Sequence, residues 1–426
     1  MELGARERAL LDGAEGSVVQ RILRTLVLYG DAVRAERLVP VEGSGHFSIS
    51  APLPGTAVPL PMLRELVDAG LRTPWPFTLD PHPPLDFEDL GVSDDERAEF
   101  ERMFADAAAY HAGMVALGLR DPDGYTCAPY TYAGGNVPER GQVLAWSESS
   151  CVIYANSVIG ARTNRNAAIL DLMSNLVGLT PLFGLLTDAG RRATWDVRVE
   201  TGRLPHPQLL GAVVGRAVGD GVPWIGGLAG ELGDLRAPAA RDYLKEVGAA
   251  AAAIGAVGLM HVEGITPEAR DAGRSLLVPG ARELVVDDAA IEAERSRHPA
   301  TWATADGPPE RCLIGCPHLS LRELRWWADH IDAALARSGR ERLAVETIMI
   351  AAPHVIRAAG DDETARRLRE AGVRLSGSCA EDFLANPLCG SQRVATNSSK
   401  LSTFTRARMF PDEELVDILV TGSVPA

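Results

Sequence analysis

The chain has almost no lysine: of its 42 basic residues, all but Lys245 and Lys400 are arginine. A bias that trades solvated lysines for arginine spares a lysine where a compact ammonium is needed, because arginine's planar fork cannot reproduce it. Lys400 ends the run Thr396-Asn397-Ser398-Ser399-Lys400, whose polar side chains can all hydrogen-bond an anion. It is read as part of a substrate site, the alternative being a lysine left in a polar surface turn. Positive charge is also short in sum, and a net charge of -15 argues against sequence-independent binding to nucleic acid or an anionic membrane. No apolar run nears the roughly 20 residues that span a bilayer. Residues 1–8 lack the basic start and apolar stretch of a signal peptide, so a cytoplasmic location is expected. The six cysteines (Cys127, Cys151, Cys312, Cys316, Cys379 and Cys389) include no CxxC pair, which removes zinc-ribbon and thioredoxin readings. In a reducing compartment they are left as metal ligands, catalytic groups or buried thiols. There is no Walker loop, no GxGxxG in a strand–loop–helix setting, no GxSxG elbow, no repeat and no low-complexity tract.

What is present is an ordinary globular composition, 46% hydrophobic and 23% charged, on a chain long enough for two or three subdomains. Residues 7–29 carry a helical period. Short apolar runs, read as strands at 37–41, 151–155, 194–199, 259–262, 311–315 and 346–350, alternate with helical stretches at 93–117, 238–247, 320–338 and 361–371. That alternation predicts an α/β fold with mostly parallel pairing. Boundaries fall after Gly202 and near 306–309, giving regions 1–202, 203–308 and 309–426.

Unusual residues gather where predicted strands end, the place where open α/β sheets bind ligands. Cys316 follows Leu313-Ile314-Gly315 and precedes Pro317-His318, while Ser320 and Glu323 form a capping box that opens a helix. Cys127 lies in Tyr125-Thr126-Cys127-Ala128-Pro129-Tyr130, and Cys379 in Ser376-Gly377-Ser378-Cys379. Three thiolates from such loops suit iron or an iron–sulfur cluster and leave a position open for substrate. Inert buried cysteines are the alternative, favoured for Cys151 and Cys312, with Cys389 held in reserve. Glu148 stands among Ser147, Ser149 and Ser150, as an acid, a substrate contact or a turn bonding its own backbone. Gly160-Ala161-Arg162-Thr163-Asn164-Arg165 leads into a helix start that can hold an anion. His261 reads as a core histidine, whereas His318 shares the candidate metal loop.

Taken in order, Cys127-Ala128-Pro129-Tyr130, Trp146 to Arg165, His261 to Ala269, Gly315-Cys316-Pro317-His318 and Thr396 to Lys400 resemble aconitase X, specifically its large catalytic part, nearly end to end. The resemblance implies aconitase-like three-layer α/β subdomains around a metal site. The centre would be a 2Fe–2S or 4Fe–4S cluster or mononuclear iron, held by Cys127, Cys316 and Cys379. It implies a hydro-lyase that dehydrates a small hydroxy acid, cis-3-hydroxy-L-proline for a bacterial-looking composition such as this, with phosphomevalonate as the alternative. Glu148, His318 and Lys400 would be catalytic. Substrate contacts would fall to Ser48, Ser50, Asp80, Ser149, Arg162, Asn164, Asn397 and Ser398, with Arg406 and Arg408 as added cations for a phosphorylated substrate. Departures stand at Thr126, where the family often has cysteine, and at Asp80, where it often has asparagine. Aromatics are usual where Leu401-Ser402-Thr403-Phe404 follows Lys400. The swivel domain of aconitase-type enzymes has no counterpart here, so a small swivel subunit is expected as partner, with the chain inactive alone. From another class, a non-catalytic metal-binding or sensing subunit is the alternative.

Overall fold

The structure, a computed structural model, describes residues 1–50, 58–131, 135–298 and 301–424. Two all-parallel sheets dominate. One runs His261–Val262, Pro223–Gly226, Ala193–Glu200, Leu277–Asp287 in spatial order. The other runs Val373–Ser376, Glu346–Ala351, Arg311–Leu319, Val394–Thr396, Arg408–Met409. Arg311–Leu319 and Glu346–Ala351, buried on both faces, read as unbroken apolar runs and were legible, whereas Pro223–Gly226, the largely exposed Leu277–Asp287, Val394–Thr396 and Arg408–Met409 lie outside the predicted strands. Each sheet is covered by helices such as Pro238–Ile254 and Leu321–Ser338. Ser320 caps the latter, its hydroxyl accepting from the Glu323 amide while Glu323 accepts from the Ser320 amide.

The N-terminal part is mostly helical, and the predicted 7–29 and 93–117 helices are each split in two. Its short parallel segments make a ladder: His46 bridges Trp146 on one side and pairs with Thr78 on the other, while Leu79 bridges Tyr125. All run the same way, so Glu148, Ser48, Asp80 and Cys127 emerge together from their carboxyl ends. His82 bridges Ser378, joining this ladder to the C-terminal sheet.

One predicted strand is wrong in kind. Residues 151–155 lie in the helix Ser149–Tyr154 and the wider π turn Ala155–Ile159 that follows it. Val152 and Ile153 mimic a strand. Yet Glu148 caps the segment by accepting from the Cys151 amide at 2.6 Å, and burial on every side erases any amphipathic period.

Candidate active site

Two sets of strand ends meet. From the N-terminal ladder come Ser48, Asp80, Cys127 and Glu148. From the C-terminal sheet come Cys316, Cys379 and the helix Ser399–Phe404 with Lys400. At the centre Lys400 donates to Glu148 at 2.8 Å and lies 3.5 Å from Glu381. The pair is desolvated, with Lys400 12% and Glu148 3% exposed. Burial opposes both charges, but each stabilises the other. Lys400 stays protonated well above the usual lysine value, and Glu148 is held well below the usual carboxylate range. Glu148 also accepts from the Ser149 and Ser150 hydroxyls, at 3.3 Å and 2.6 Å.

The thiols surround this pair. The Cys127 sulfur accepts the His318 amide at 3.2 Å, and the Cys316 thiol lies 3.8 Å from Glu381. The Cys379 amide donates to the His82 carbonyl, and Glu381 and Asp382 oppose ionisation of the Cys379 thiol. Burial pushes Cys127 up to about 12 and the other two well above the usual thiol value. A cationic centre reverses that preference, because coordinated thiols ionise. Among the described residues no three His, Cys, Asp or Glu side chains stand at metal-ligating distance. Cys127 and Cys316 feel the charge of Lys400, and Cys379 that of Glu381, Asp382 and Asp80; three soft thiols of this kind are a donor set whose chemistry fits iron or an iron–sulfur cluster.

Several expected contacts are spent elsewhere. Arg162 donates to the Leu186 carbonyl and pairs with Asp188, and Asn164 bonds the backbone of Phe183 and Leu185. Both are tied to the 183–188 segment, away from the Lys400–Glu148 pair's own partners. Asn397 donates to Asp412, and the Ser398 hydroxyl to the Cys316 carbonyl at 2.6 Å, pinning the cysteine loop. Ser48 approaches the Ser147 hydroxyl, and Ser50 lines a separate cavity of about 280 Å³ with His82, His111 and Tyr125. His318 is neutral, lowered to about 3 by burial, and bonds Thr126 at 3.2 Å. Thr126, a departure from the family pattern, thus anchors the loop behind Cys316. Arg408 lies over Trp302 and Phe410, and Arg406 is exposed, so the two form no cationic cluster. Cys389 is held by Glu96 and Arg311. His261 bonds the Arg191 carbonyl in the core.

Three participants escaped sequence reasoning. His46, fully buried, lies 3.5 Å from Asp80, and neither facing atom has a hydrogen-bond partner. Burial raises Asp80 to about 6, despite His46. Asp382 is raised to about 7 by burial and by Glu381. The acids Glu381 and Asp382 stand two and three residues after Cys379, a proximity that could have flagged them.

Three family profiles match the chain: Aconitase X first domain over residues 1–189, second domain over 193–296 and third domain over 310–413. The crystal structure of Thermococcus kodakaraensis aconitase X in its holo-form superposes with a TM-score of 0.80 at 30% identity, covering 98% of this chain and 99% of that one. The phosphomevalonate dehydratase large subunit of Thermococcus kodakarensis is 33% identical over 416 residues, 96% of this chain and 95% of that protein. The cis-3-hydroxy-L-proline dehydratase of Pseudomonas aeruginosa is 28% identical over 414 residues, 94% of this chain and 66% of that protein. With matched sequence, superposed fold and strand ends that meet around one ion pair, this chain belongs to the aconitase X family.

Proposed function

We propose that the chain is the large subunit of a phosphomevalonate dehydratase, removing water from a phosphorylated hydroxy acid together with a small swivel subunit. Its likeness to named dehydratases, three of them over nearly their whole length, supports a hydro-lyase rather than a non-catalytic sensor. The phosphomevalonate reading is supported by five large subunits of that name, 27–35% identical, four of them at 31% or more, against 27–28% for two hydroxyproline enzymes that this chain covers to about two thirds of their length.

The site's own residues support dehydration. Cys127, Cys316 and Cys379 would hold iron or an iron–sulfur cluster, which when bound would supply Lewis-acid polarisation for a leaving hydroxyl. Lys400 offers its ammonium to the substrate carboxylate, with Glu148 and its serines fixing the direction of approach. Ser398 steadies the Cys316 loop. Asp80, titrating at about 6 beside His46, is better matched than Glu148 or His318 to protonate the departing oxygen. One observation favours cis-3-hydroxy-L-proline as the second reading. Lys400 is shared between two glutamates and Arg408 is stacked on aromatics, so neither is free to take a phosphate.

The test is anaerobic co-purification with the small subunit, iron loading, and a turnover screen of 5-phosphomevalonate and the 3-hydroxyprolines. Dehydration of 5-phosphomevalonate alone is expected. Turnover of hydroxyproline alone would replace the substrate, and turnover of neither would sink the proposal.

A further inference from the structure

Lys245, the other lysine kept in an arginine-rich chain, lies outside the Lys400–Glu148 pair. It belongs to the middle helix Pro238–Ile254 and is 4% exposed. Three oxygens converge on its ammonium: the His318 carbonyl at 2.9 Å, Glu323 at 2.6 Å and Glu246 at 3.1 Å. An ammonium has three donors that turn about one nitrogen, so it can meet three oxygens from different directions. A guanidinium spreads its donors in one plane over separate nitrogens. The position asks for the residue that the chain otherwise avoids.

Each partner leads to the candidate site. His318 stands two residues after Cys316, and its amide donates to the Cys127 sulfur at 3.2 Å. Its carbonyl is held by Lys245 and its ring by Thr126, so the residue that joins the two cysteine loops is fixed from three sides. Glu323 accepts the Ser320 amide and so sets the helix start just after that loop. Glu246 accepts from Gln208, whose own side-chain oxygen accepts the Ser399 amide beside Lys400. Asp242, one turn before Lys245, adds bonds from Ser320 and Arg322. Offsetting two buried carboxylates accounts for the charge of Lys245. It does not require a bond to an uncharged carbonyl, which is strong here because its donor is ionised and shielded from water.

We propose that Lys245 is a positioning residue for the metal centre, its ammonium holding the His318 backbone so that Cys127 and Cys316 present their thiols together. The inference rests on the reading that these cysteines hold iron or an iron–sulfur cluster.

The test loads the full chain, with its small subunit, anaerobically with ferrous iron and sulfide, and reads iron affinity by chelator competition. Lys245→Met alone strands two buried carboxylates, so it is combined with Glu323→Gln, whose amide oxygen can still accept from Ser320. Glu246, already raised by burial, then takes up a proton. Exchanging a buried ion pair for neutral groups costs little, so the iron-free double variant should melt within about 4 °C of wild type. It should bind iron about 10- to 100-fold more weakly, the scale of losing a group that orients a metal ligand. Glu323→Gln alone keeps the bond to His318 and should stay within about threefold of wild type, below that scale. The thiolate-to-iron absorption bands should shift in the double variant, because the amide on the Cys127 sulfur moves. A double variant with wild-type affinity or unshifted bands overturns this inference alone. So does weaker binding that comes with a melting temperature below that margin, or that Glu323→Gln shows equally, since Lys245 would then act only through the stability of the fold. A wild type that takes up no iron overturns the metal reading and this one with it.

Discussion

A buried ion pair is worth little in net stability but is costly to halve, because the orphaned charge keeps its desolvation penalty. Lys400→Met leaves Glu148 ionised, or forces it to take up a proton, 3% exposed among serines. The expected cost is about 3–5 kcal/mol, with activity down by at least about 100-fold. Adding Glu148→Gln should restore much of the stability and none of the activity, a cycle read by thermal melting and turnover. Glu148's folded pKa is depressed, so its contribution is full above its unfolded value and fades as pH falls through the folded one. Asp80 has the opposite sign. Its folded value of about 6 exceeds the unfolded 3.8, so stability falls as pH rises between them. Asp80→Asn should therefore raise the melting temperature of iron-free protein at pH about 7.5, by an energy of up to about 3 kcal/mol, and give no gain at pH about 3.5. A variant that melts lower at both pH values would show that the carboxylate is not under strain.

Among elements, the strand Arg311–Leu319 carries the tightest requirement. Gly315 has φ 114°, in the region that only glycine enters freely, and a Cβ there would meet the Ile350 carbonyl oxygen of the neighbouring strand. The strand pairing shifts register at the same place, between Met349 and Ala351. Gly315→Ala is thus expected to displace Cys316 and to cut its alkylation protection and the bound iron together, with stability down by about 1–3 kcal/mol or more. Unchanged iron content would remove Gly315 from the account. Elements of this kind were partly legible. The parallel C-terminal sheet announced itself through apolar runs at 311–315, leading to Cys316, and at 346–350, and the Ser320–Glu323 cap was visible in four letters. The helix at Ser149–Tyr154 was not, since its β-branched residues are all buried and its cap is Glu148, a residue also read as chemistry. Arg162 and Asn164 looked like an anion site because sequence cannot tell a guanidinium facing solvent from one tied to Leu186 and Asp188. His46 carried no signal in the sequence, since only the ladder brings it beside Asp80.

At the scale of the molecule, the candidate site lies where two sheets present their carboxyl ends, and its charges are already committed. Glu148 is spent on Lys400, His318 bonds Thr126, and Asp80 titrates in the range suited to giving a proton to the leaving oxygen. Dehydration also needs a base to take the proton beside the carboxylate, and the swivel subunit expected from the sequence is its proposed source. The relatives named large subunits agree with a second chain that brings it. General-base catalysis contributes about 10²- to 10⁴-fold, so the iron-loaded chain alone should turn over at no more than about 1% of the complex. Titrating the small subunit into fixed large subunit, with product followed by its absorbance, should raise the rate linearly and then level off near equimolar. A chain that runs at full rate unassisted would mean that the base lies within it, and Asp382, raised to about 7 beside Cys379, would be the first residue to replace.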